Sequence, residues 1–564
     1  MYKTIQKSII KAIKEALNSF LTDKDLKNSE QLLEKVILDE TKNSSFGDLS
    51  TNIAMQIAKE VRNNPQKIGE ELIEIIKQKN SLKDICEKIE LAGGGFINFY
   101  LKNTLVEKLL LEILTKKENY GKQEMGKGKR VLIEFVSANP TGPLTIAHAR
   151  QAAVGDTLAN ILEYAGYEVL REYYLNDRGL QIETLGNSTY LRYLEILGEK
   201  VEFPENNYQG DYIKNIAQSI KEQHGDIYKE KTAANLEFFA EYTKNLIFAE
   251  IKQDLKDFEV NFASWFSEAE FTKGEAVQEV LNTLAEKGHT YTEGNALWFK
   301  STAFGDDKDR VLIRSNGEKT YITPDIAYHK NKFNRGYDIL INLLGPDHHG
   351  YILRLKAAME ALGFNKENLN IIIIQLATLY KNGEKLSMST RAGEFITLRD
   401  LLNEVGKDAG RFFLITRKTD SHLEFDLDLA KEQSPNNPVY YIQYAHARIC
   451  SIFKRYYENY NESVDTLDLK KIDFSLLNED EIALIKNLTT FNKVIIDSAS
   501  LKETHKLSQY LVELATAFHS YYNKNKVVTE NKSLTQLRLI LSLAIKTIIK
   551  NGLGLLGISA PESM

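Results

Sequence analysis

Residues 131–150, VLIEFVSANPTGPLTIAHAR, decide the fold of this 564-residue chain. The apolar run from Val131 to Val136 predicts a buried strand. The segment NPTGP at 139–143 predicts a turn, and an alanine-rich helical pattern starts near His148. A strand, a turn and a helix N-terminus can hold an anion such as a nucleotide phosphate, because free backbone N–H groups and the helix dipole face it.

Outward from this stretch, the sequence from 116 to 435 predicts two strand–helix–strand units of one parallel sheet. The first unit consists of strand 131–137, helix 148–165 and strand 168–175. The second consists of strand 338–344, a helix to about 362 and strand 370–377, followed by the polar loop KNGEKLSMSTRAGE. Residues 185–300 between the two units are polar and read as a mostly helical insertion. We therefore expect a doubly wound, Rossmann-like sheet.

Two further units flank this region, which makes the chain a multidomain α/β protein. Residues 1–115 predict an α+β domain that starts with a helix and contains the turn-bearing stretch LAGGGFINFYL. The lysine- and glycine-rich stretch KKENYGKQEMGKGKR predicts a linker and a domain boundary by its composition. Residues 436–564 repeat apolar residues at spacings of three and four, which predicts an all-α bundle of four to six helices.

Composition narrows the class of protein. No run of about 18 apolar residues exists, so we expect no transmembrane helix and no membrane partner. The two cysteines, Cys86 and Cys450, exclude a disulfide framework and a cysteine-rich zinc site, which fits a reducing cytoplasm. The formal net charge of −6 gives no overall sign of nucleic-acid binding.

Two polar loops carry the candidate chemistry. One ends in Thr145-Ile146-Ala147-His148, and the other runs from Lys385 to Arg391. Both follow strands of the same predicted sheet, so they can hold one nucleotide from two sides and stabilise charge on leaving pyrophosphate. For either loop alone, an ordinary turn is the alternative interpretation. Glu134 is a stronger signal, because a glutamate within an apolar strand is rarely buried without a partner.

The two loops resemble the nucleotide-binding motifs of class I aminoacyl-tRNA synthetases, His-Ile-Gly-His and Lys-Met-Ser-Lys-Ser. Other stretches narrow the resemblance to arginyl-tRNA synthetases of the bacterial type: EFVSANPTGPL, TYITPDIAYH, GPDHHGY, NPVYYIQYAHARI and LLGISAPESM. The resemblance covers essentially the whole chain. It implies ATP-dependent attachment of L-arginine to its tRNA through an arginyl-adenylate, by a cytoplasmic monomer that uses ATP with Mg²⁺ and holds no metal tightly.

The resemblance also assigns residues to roles. For arginine it implies Glu134, Asn139, Tyr321, Asp325 and His348. For ATP it implies Thr145, Ala147, His148, Gly345, Asp347 and Met388, and for catalysis Thr145, His148, Lys385, Ser389 and Arg391. For tRNA it implies Tyr440, Tyr444, Arg448 and Met564 on the anticodon-binding bundle, with Asn52 and Phe96 on the N-terminal domain that touches the tRNA elbow.

Several alternatives stay open at this point. Thr145 and Ala147 replace the first histidine and the glycine of the first motif, so a non-catalytic RNA-binding relative is one alternative. The second motif can start at Lys385 or at Ser387. Asp325 follows a proline, where an aspartate more often caps a helix. A cysteinyl-tRNA synthetase would need zinc-binding cysteines, which Cys86 and Cys450 are too far apart in sequence to supply. Adjacent Asp347, His348 and His349 rarely all face one metal ion.

Overall fold

The computed structural model describes residues 2–24, 29–41, 46–386 and 396–564. The N-terminal unit is α+β, as predicted. Its helices are α1 (Tyr2–Asp23), α2 (Ser29–Glu34), α3 (Ile53–Val61), α4 (Pro65–Lys77), α5 (Asn80–Lys83) and α6 (Asn103–Lys116). Its strands are β1 (Asp39–Glu40), β2 (Leu49–Thr51), β3 (Cys86–Ala92) and β4 (Phe96–Leu101), paired antiparallel in the order β1-β2-β4-β3.

The middle of the chain alternates strands and helices. The strands are β5 (Arg130–Glu134), β6 (Glu168–Leu175), β7 (Ser264–Ser267), β8 (Thr290–Glu293), β9 (Ala296–Phe299), β10 (Arg310–Ile313), β11 (Ile339–Leu344), β12 (Leu369–Ile373), β13 (Ala377–Lys381), β14 (Glu384–Lys385) and β15 (Leu423–Asp426). The helices are α7 (Ile146–Tyr164), α8 (Leu180–Ile196), α9 (Asp211–His224), α10 (Ala233–Asp257), α11 (Glu268–Thr272), α12 (Ala276–Glu286), α13 (Ile322–Asn334), α14 (Tyr351–Leu362), α15 (Leu398–Ile415) and α16 (Leu427–Lys431).

Five of these strands form the central sheet, in the order β12-β11-β5-β6-β7. All four pairings are parallel, which confirms the predicted doubly wound sheet. The chain winds outward from β5 in one direction and then from β11 in the other. The strand order therefore reverses between β5 and β11, where ligands bind in folds of this kind. The register places Glu134 beside Asn342 on one side and Glu172 on the other.

The structure corrects two predicted strands. The strand predicted at 131–137 ends at Glu134, because Val136 (φ 69°) and Ser137 (φ 43°) leave the extended conformation. The strand predicted at 370–377 is two strands. β12 belongs to the central sheet, whereas β13 pairs with β14 and β15 in a separate sheet. The apolar sequence IIIIQLATLY runs across both strands and hides the break between them.

The segment predicted as a mostly helical insertion, 185–300, is largely helical but also contributes strands. β7 forms the edge of the central sheet beside β6. β8 and β9 pair with β10 in a small antiparallel sheet. Part of this segment therefore completes the central sheet itself.

The C-terminal unit contains five helices: α17 (Pro438–Tyr460), α18 (Glu479–Thr489), α19 (Phe491–Leu501), α20 (His505–Lys524) and α21 (Lys532–Leu555). No strand occurs from 438 to 564, all of which is described, so the predicted helical bundle is confirmed. Arg411 of α15 joins this bundle to the sheet. Its Nε donates to the Leu556 carbonyl (2.8 Å), and its Nη2 pairs with Asp156 of α7 (2.6 Å). Within the described ranges no helix is long and apolar enough to cross a membrane.

Candidate active site

A cavity of about 400 Å³ opens at the carboxyl ends of β5 and β11, where the strand order reverses. Eight of the predicted site residues line it: Glu134, Asn139, His148, Tyr321, Asp325, Gly345, Asp347 and His348. They come from the end of β5 and the loop after it, from α7, from the start of α13 and from the loop after β11. The predicted arginine and ATP residues that the structure describes thus meet in one place, apart from Thr145 and Ala147, which lie beside it at the start of α7.

The first motif holds His148 as a neutral ring in one tautomer. The backbone N–H of Thr145 donates to Nδ1 of His148 (3.1 Å), so this ring nitrogen acts as the acceptor. In the neutral ring the proton then sits on Nε2. Burial lowers the pKa of His148 to about 4 and keeps the ring neutral near pH 7. His148 is therefore equipped to donate a hydrogen bond from Nε2 to an anionic oxygen.

Asp325 is the carboxylate without a partner. It lies in the first turn of α13, is partly buried, and accepts no hydrogen bond from a side chain or backbone N–H of the described residues. Burial, followed by the nearby charges of Glu134 and Glu268, raises its pKa to about 7. A carboxylate in this setting gains strongly from a cationic ligand, because the ligand replaces the lost hydration and offsets the repulsion.

Glu134, by contrast, is already paired. Its buried carboxylate forms an ion pair with Lys332 of α13. It also accepts hydrogen bonds from Asn342 Nδ2 (3.1 Å) and Ser137 Oγ (3.1 Å). The sequence correctly required a partner for this glutamate but did not identify it. Its predicted role as a direct arginine ligand stays a prediction.

Sequence reasoning missed Glu268, which also lines the cavity. This residue starts α11 directly after β7, and burial raises the pKa of its carboxyl group, whereas its hydrogen bond with Tyr174 lowers it. The signal was an acidic residue at the end of a sheet strand. The sequence did not reveal this position, because the segment SWFS lies in the stretch predicted as an insertion. The cavity thus gathers three carboxylates: Glu134, Glu268 and Asp325.

The second motif is described only at its start, and the described chain resumes at Ile396. Leu386 N–H donates to Leu379 (2.9 Å) as the β13–β14 hairpin closes, and Lys385 is exposed opposite Tyr380. Ile396 accepts from Ile146 N–H (3.2 Å), at the N-terminus of α7. Ile396, where the described chain resumes, is therefore held beside the first motif. Met388, Ser389 and Arg391 lie outside the described residues, so the register of this motif remains open.

The predicted tRNA residues lie on two other surfaces. Tyr440 stacks on Tyr444 (ring centroids 6.0 Å apart), and Arg448 lies 4.5 Å from the Tyr444 ring. Tyr440 and Met564 line a cavity of about 450 Å³ where α15, α16 and α17 meet. Asn52 and Phe96 line a third cavity, of about 400 Å³, in the N-terminal unit.

Comparison with known proteins agrees with this geometry. Residues 109–427 match the family model described as "tRNA synthetases class I (R), catalytic domain". Residues 3–101 match "Arginyl tRNA synthetase N terminal domain", and residues 442–564 match "DALR anticodon binding domain". The sheet, the cavity at its switch point and the flanking units are those of a class I aminoacyl-tRNA synthetase.

Individual relatives narrow the class to one family. The chain is 46% identical to an arginine–tRNA ligase of Bacillus licheniformis over 99% of this chain and 100% of the relative. It is 46% identical to that of Bacillus subtilis over 95% of each chain. The crystal structure of Thermus thermophilus arginyl-tRNA synthetase shares the fold, with a TM-score of 0.75 at 22% identity over 98% of this chain and 100% of that one. The chain belongs to the arginyl-tRNA synthetase family, which confirms the predicted fold class and the predicted enzyme class.

Proposed function

We propose that the cavity between β5 and β11 binds arginine and ATP side by side, forms arginyl-adenylate, and passes the arginyl group to tRNA. The observation that carries this proposal is the free carboxylate of Asp325 in a cavity that also holds Glu134 and Glu268. Arginine brings two positive charges, its guanidinium group and its α-ammonium group. A negatively charged lining favours arginine, with its cationic side chain, over an amino acid whose side chain is neutral.

Asp325 and Glu268 are the proposed partners of the guanidinium group. Guanidinium offers five N–H donors in a rigid fork, and carboxylates accept them in pairs. Tyr321 stands at the mouth of the cavity, where its ring is 74% exposed and available to stack on a ligand. Asn139 and His348 line the same cavity and are proposed to face the amino-acid end of arginine.

ATP is proposed to lie against the N-terminus of α7. The Nε2–H of His148 and the positive end of the α7 helix dipole would hold phosphate oxygens. Gly345 and Asp347, after β11, line the side where the adenosine would lie. Lys385, Ser389 and Arg391 of the second motif are proposed to approach the leaving pyrophosphate. Thr145 is proposed to orient His148, because its backbone N–H donates a hydrogen bond to Nδ1 of that ring.

Mg²⁺ enters this proposal as part of the ATP substrate, bound to its phosphates. The described residues contain no group of three or more metal-ligating side chains. The absence of a tightly bound metal from the resting enzyme stays a prediction.

The chemistry needs no nucleophile from the protein. A carboxylate oxygen of arginine attacks the α-phosphorus of ATP, the bond from that phosphorus to the β-phosphate oxygen breaks, and pyrophosphate leaves. The 2′-hydroxyl of the terminal adenosine of tRNA then attacks the carbonyl carbon, and AMP leaves with the electron pair. The chain contributes position and electrostatic stabilisation.

The tRNA is proposed to span all three units, taken as residues 1–115, 116–435 and 436–564. Tyr440, Tyr444 and Arg448 offer stacking faces and a cation for unstacked anticodon bases, beside Met564. Asn52 and Phe96 would meet the tRNA elbow, and Phe96 is 42% exposed there. A monomer acting in the cytoplasm completes the proposal.

The test is tRNA charging with each of the twenty amino acids, by the wild type, by Asp325→Asn and by Asp347→Asn. We expect arginine alone to be charged. Asp325→Asn should raise the arginine KM by about 100-fold or more with an unchanged ATP KM, because it removes a charge-assisted pair worth roughly 3 kcal/mol. Asp347→Asn should instead raise the ATP KM and leave the arginine KM unchanged. An unchanged arginine KM in Asp325→Asn would reject the proposed site.

A further inference from the structure

Lys332 is a fully buried lysine directly behind the arginine cavity. Its side chain is 0% exposed. Its ammonium pairs with Glu134 Oε2, donates to Asn342 Oδ1 (3.1 Å), and lies 4.3 Å from the centre of the Tyr328 ring. All three directions of the ammonium are therefore satisfied by protein, and the ammonium does not itself line the cavity. A buried lysine persists at such a cost only when its partners compensate for lost hydration.

A hydrogen-bonded chain links Lys332 to the backbone of Asp325. Asn342, which accepts from Lys332, places its Nδ2 2.9 Å from Nε2 of His329. The other ring nitrogen of His329 lies 2.8 Å from the Asp325 carbonyl oxygen. Burial lowers the pKa of His329 to about 3, so the ring is neutral, accepts at Nε2 and donates from Nδ1. Lys332 is therefore connected through Asn342 and His329 to the turn of α13 that presents Asp325.

The charges around Asp325 come from several elements. β5 contributes Glu134, β6 contributes Tyr174, α11 contributes Glu268, α13 contributes Lys332, and α14 contributes Tyr351 and Arg354. Around Lys332 the further groups are Glu172 of β6 and Arg335, which directly follows α13; these two pair with each other. The positive charge of Lys332 thus compensates the negative charge of Glu134, and that of Arg335 compensates the negative charge of Glu172.

We propose that Lys332 is a positioning residue for arginine, because its ion pair removes Glu134 from competition and leaves Asp325 as the carboxylate that takes the guanidinium group. This inference rests on the proposed function. Without the ammonium, Glu134 and Asp325 would face one cavity as two uncompensated carboxylates. One of them would then hold a proton and could not accept both hydrogen bonds of a guanidinium edge.

The direction in which each charge shifts the pH midpoint of arginine use can be measured. Lys332→Met removes a charge that stabilises ionised Asp325, so the pH midpoint of arginine kcat/KM should move up by about one unit or more. Glu134→Gln removes a charge that opposes ionisation, so the midpoint should move down. The double variant removes both charges, and its midpoint should return close to that of the wild type.

The experiment measures tRNA charging from pH 5.5 to 9 at varied arginine and, separately, at varied ATP. The variants are Lys332→Met, Glu134→Gln, their double variant, and Lys332→Arg as the conservative change that keeps the charge. We expect opposite midpoint shifts in the two single variants, cancellation in the double, a near-normal midpoint in Lys332→Arg, and no matching shift for ATP.

Shifts of the same sign, no shift, or equal losses for arginine and ATP at every pH would overturn the proposal in favour of a structural role. Should Lys332→Met fail to fold, the pH midpoints of Glu134→Gln and of the double variant can still be compared, and the proposal predicts that they differ. Failure of the proposed function looks different, because the wild type would then not charge arginine, or Asp325→Asn would leave the arginine KM unchanged.

Discussion

The side chains of the site differ in how far the sequence predicts them. The residue pattern TYITPDIAYH alone favours a helix cap for Asp325, and the family resemblance implies its role toward arginine; the structure places its carboxylate in the cavity. Lys332 and Glu268 carry no such signal. Lys332 meets Glu134 across 198 positions of sequence, and Glu268 reaches the cavity only because β7 joins the sheet. Partners of this kind depend on strand order, which local pattern does not contain.

Asp325 makes arginine use pH-dependent. Its pKa of about 7 in the ligand-free enzyme means that it loses its charge as the pH falls below 7, while the guanidinium group stays protonated. We expect arginine kcat/KM to fall about tenfold per pH unit below that midpoint. Steady-state charging at varied arginine checks this, with Asp325→Asn as the variant that should lack the midpoint. A flat profile down to pH 5.5 would contradict it.

His148 should behave as a neutral donor throughout that range. Its pKa of about 4 lies below the measured window, so it adds no midpoint there. We expect His148→Ala to lower kcat for charging by about 10²–10³-fold, as for removal of one donor to a charge that develops in the transition state. The arginine KM should change little. A variant with normal kcat would exclude His148 from the chemical step.

At the scale of elements, helices were predicted well because their apolar period is local. Strand ends were predicted less well. β5 ends at Glu134, three residues earlier than predicted, and Val136 and Ser137 then adopt positive φ angles although neither is a typical turn residue. Ser137 illustrates the reason, because its Oγ contacts Glu134 (3.1 Å) and accepts from Tyr174 N–H (3.1 Å). Such strain collects at functional sites, where surrounding contacts hold it.

Helix α15 contains a break that only glycine accommodates well. Gly406 has φ 76° and ψ 172°, with open space where a Cβ would be. We expect Gly406→Ala to destabilise the protein by about 1–3 kcal/mol through backbone strain alone. The matched control is Gly554→Ala in α21, also with open space around it, which should stabilise by roughly 0.5–1 kcal/mol. Thermal unfolding midpoints should move in opposite directions, and equal shifts would refute the argument.

At the scale of the whole molecule, the three regions were separable by composition, but their contacts were not. Arg411 shows what holds them. Fully buried, it bonds to Phe258, to Leu556 and to Asp156, and so joins the central sheet, its inserted helices and the C-terminal bundle. A sequence pattern marks Arg411 only as one more charge on a helix.

Loss of the Arg411 contacts should lower the free energy of unfolding. We expect Arg411→Met to destabilise the protein by about 3 kcal/mol, because it removes the fully buried partner of Asp156 and leaves only the ion pair with Arg171. Arg399→Met removes a 40%-exposed arginine from its pairs with Asp254 and Asp257 and should cost about 1 kcal/mol or less. Thermal unfolding and limited proteolysis compare the two variants. Arg411→Met should release a C-terminal fragment faster, and equal behaviour would contradict the assigned role.

The central claim is that Asp325 and Glu268 together hold the guanidinium group, with Glu134 kept behind them by Lys332. A crystal structure of the protein with a non-hydrolysable arginyl-adenylate analogue tests it most directly. We predict guanidinium nitrogens within hydrogen-bonding distance, about 2.7–3.2 Å, of both the Asp325 and the Glu268 carboxylates, with the Lys332–Glu134 pair intact. A guanidinium group bound to Glu134 in place of Lys332, or one that contacts neither Asp325 nor Glu268, would contradict it.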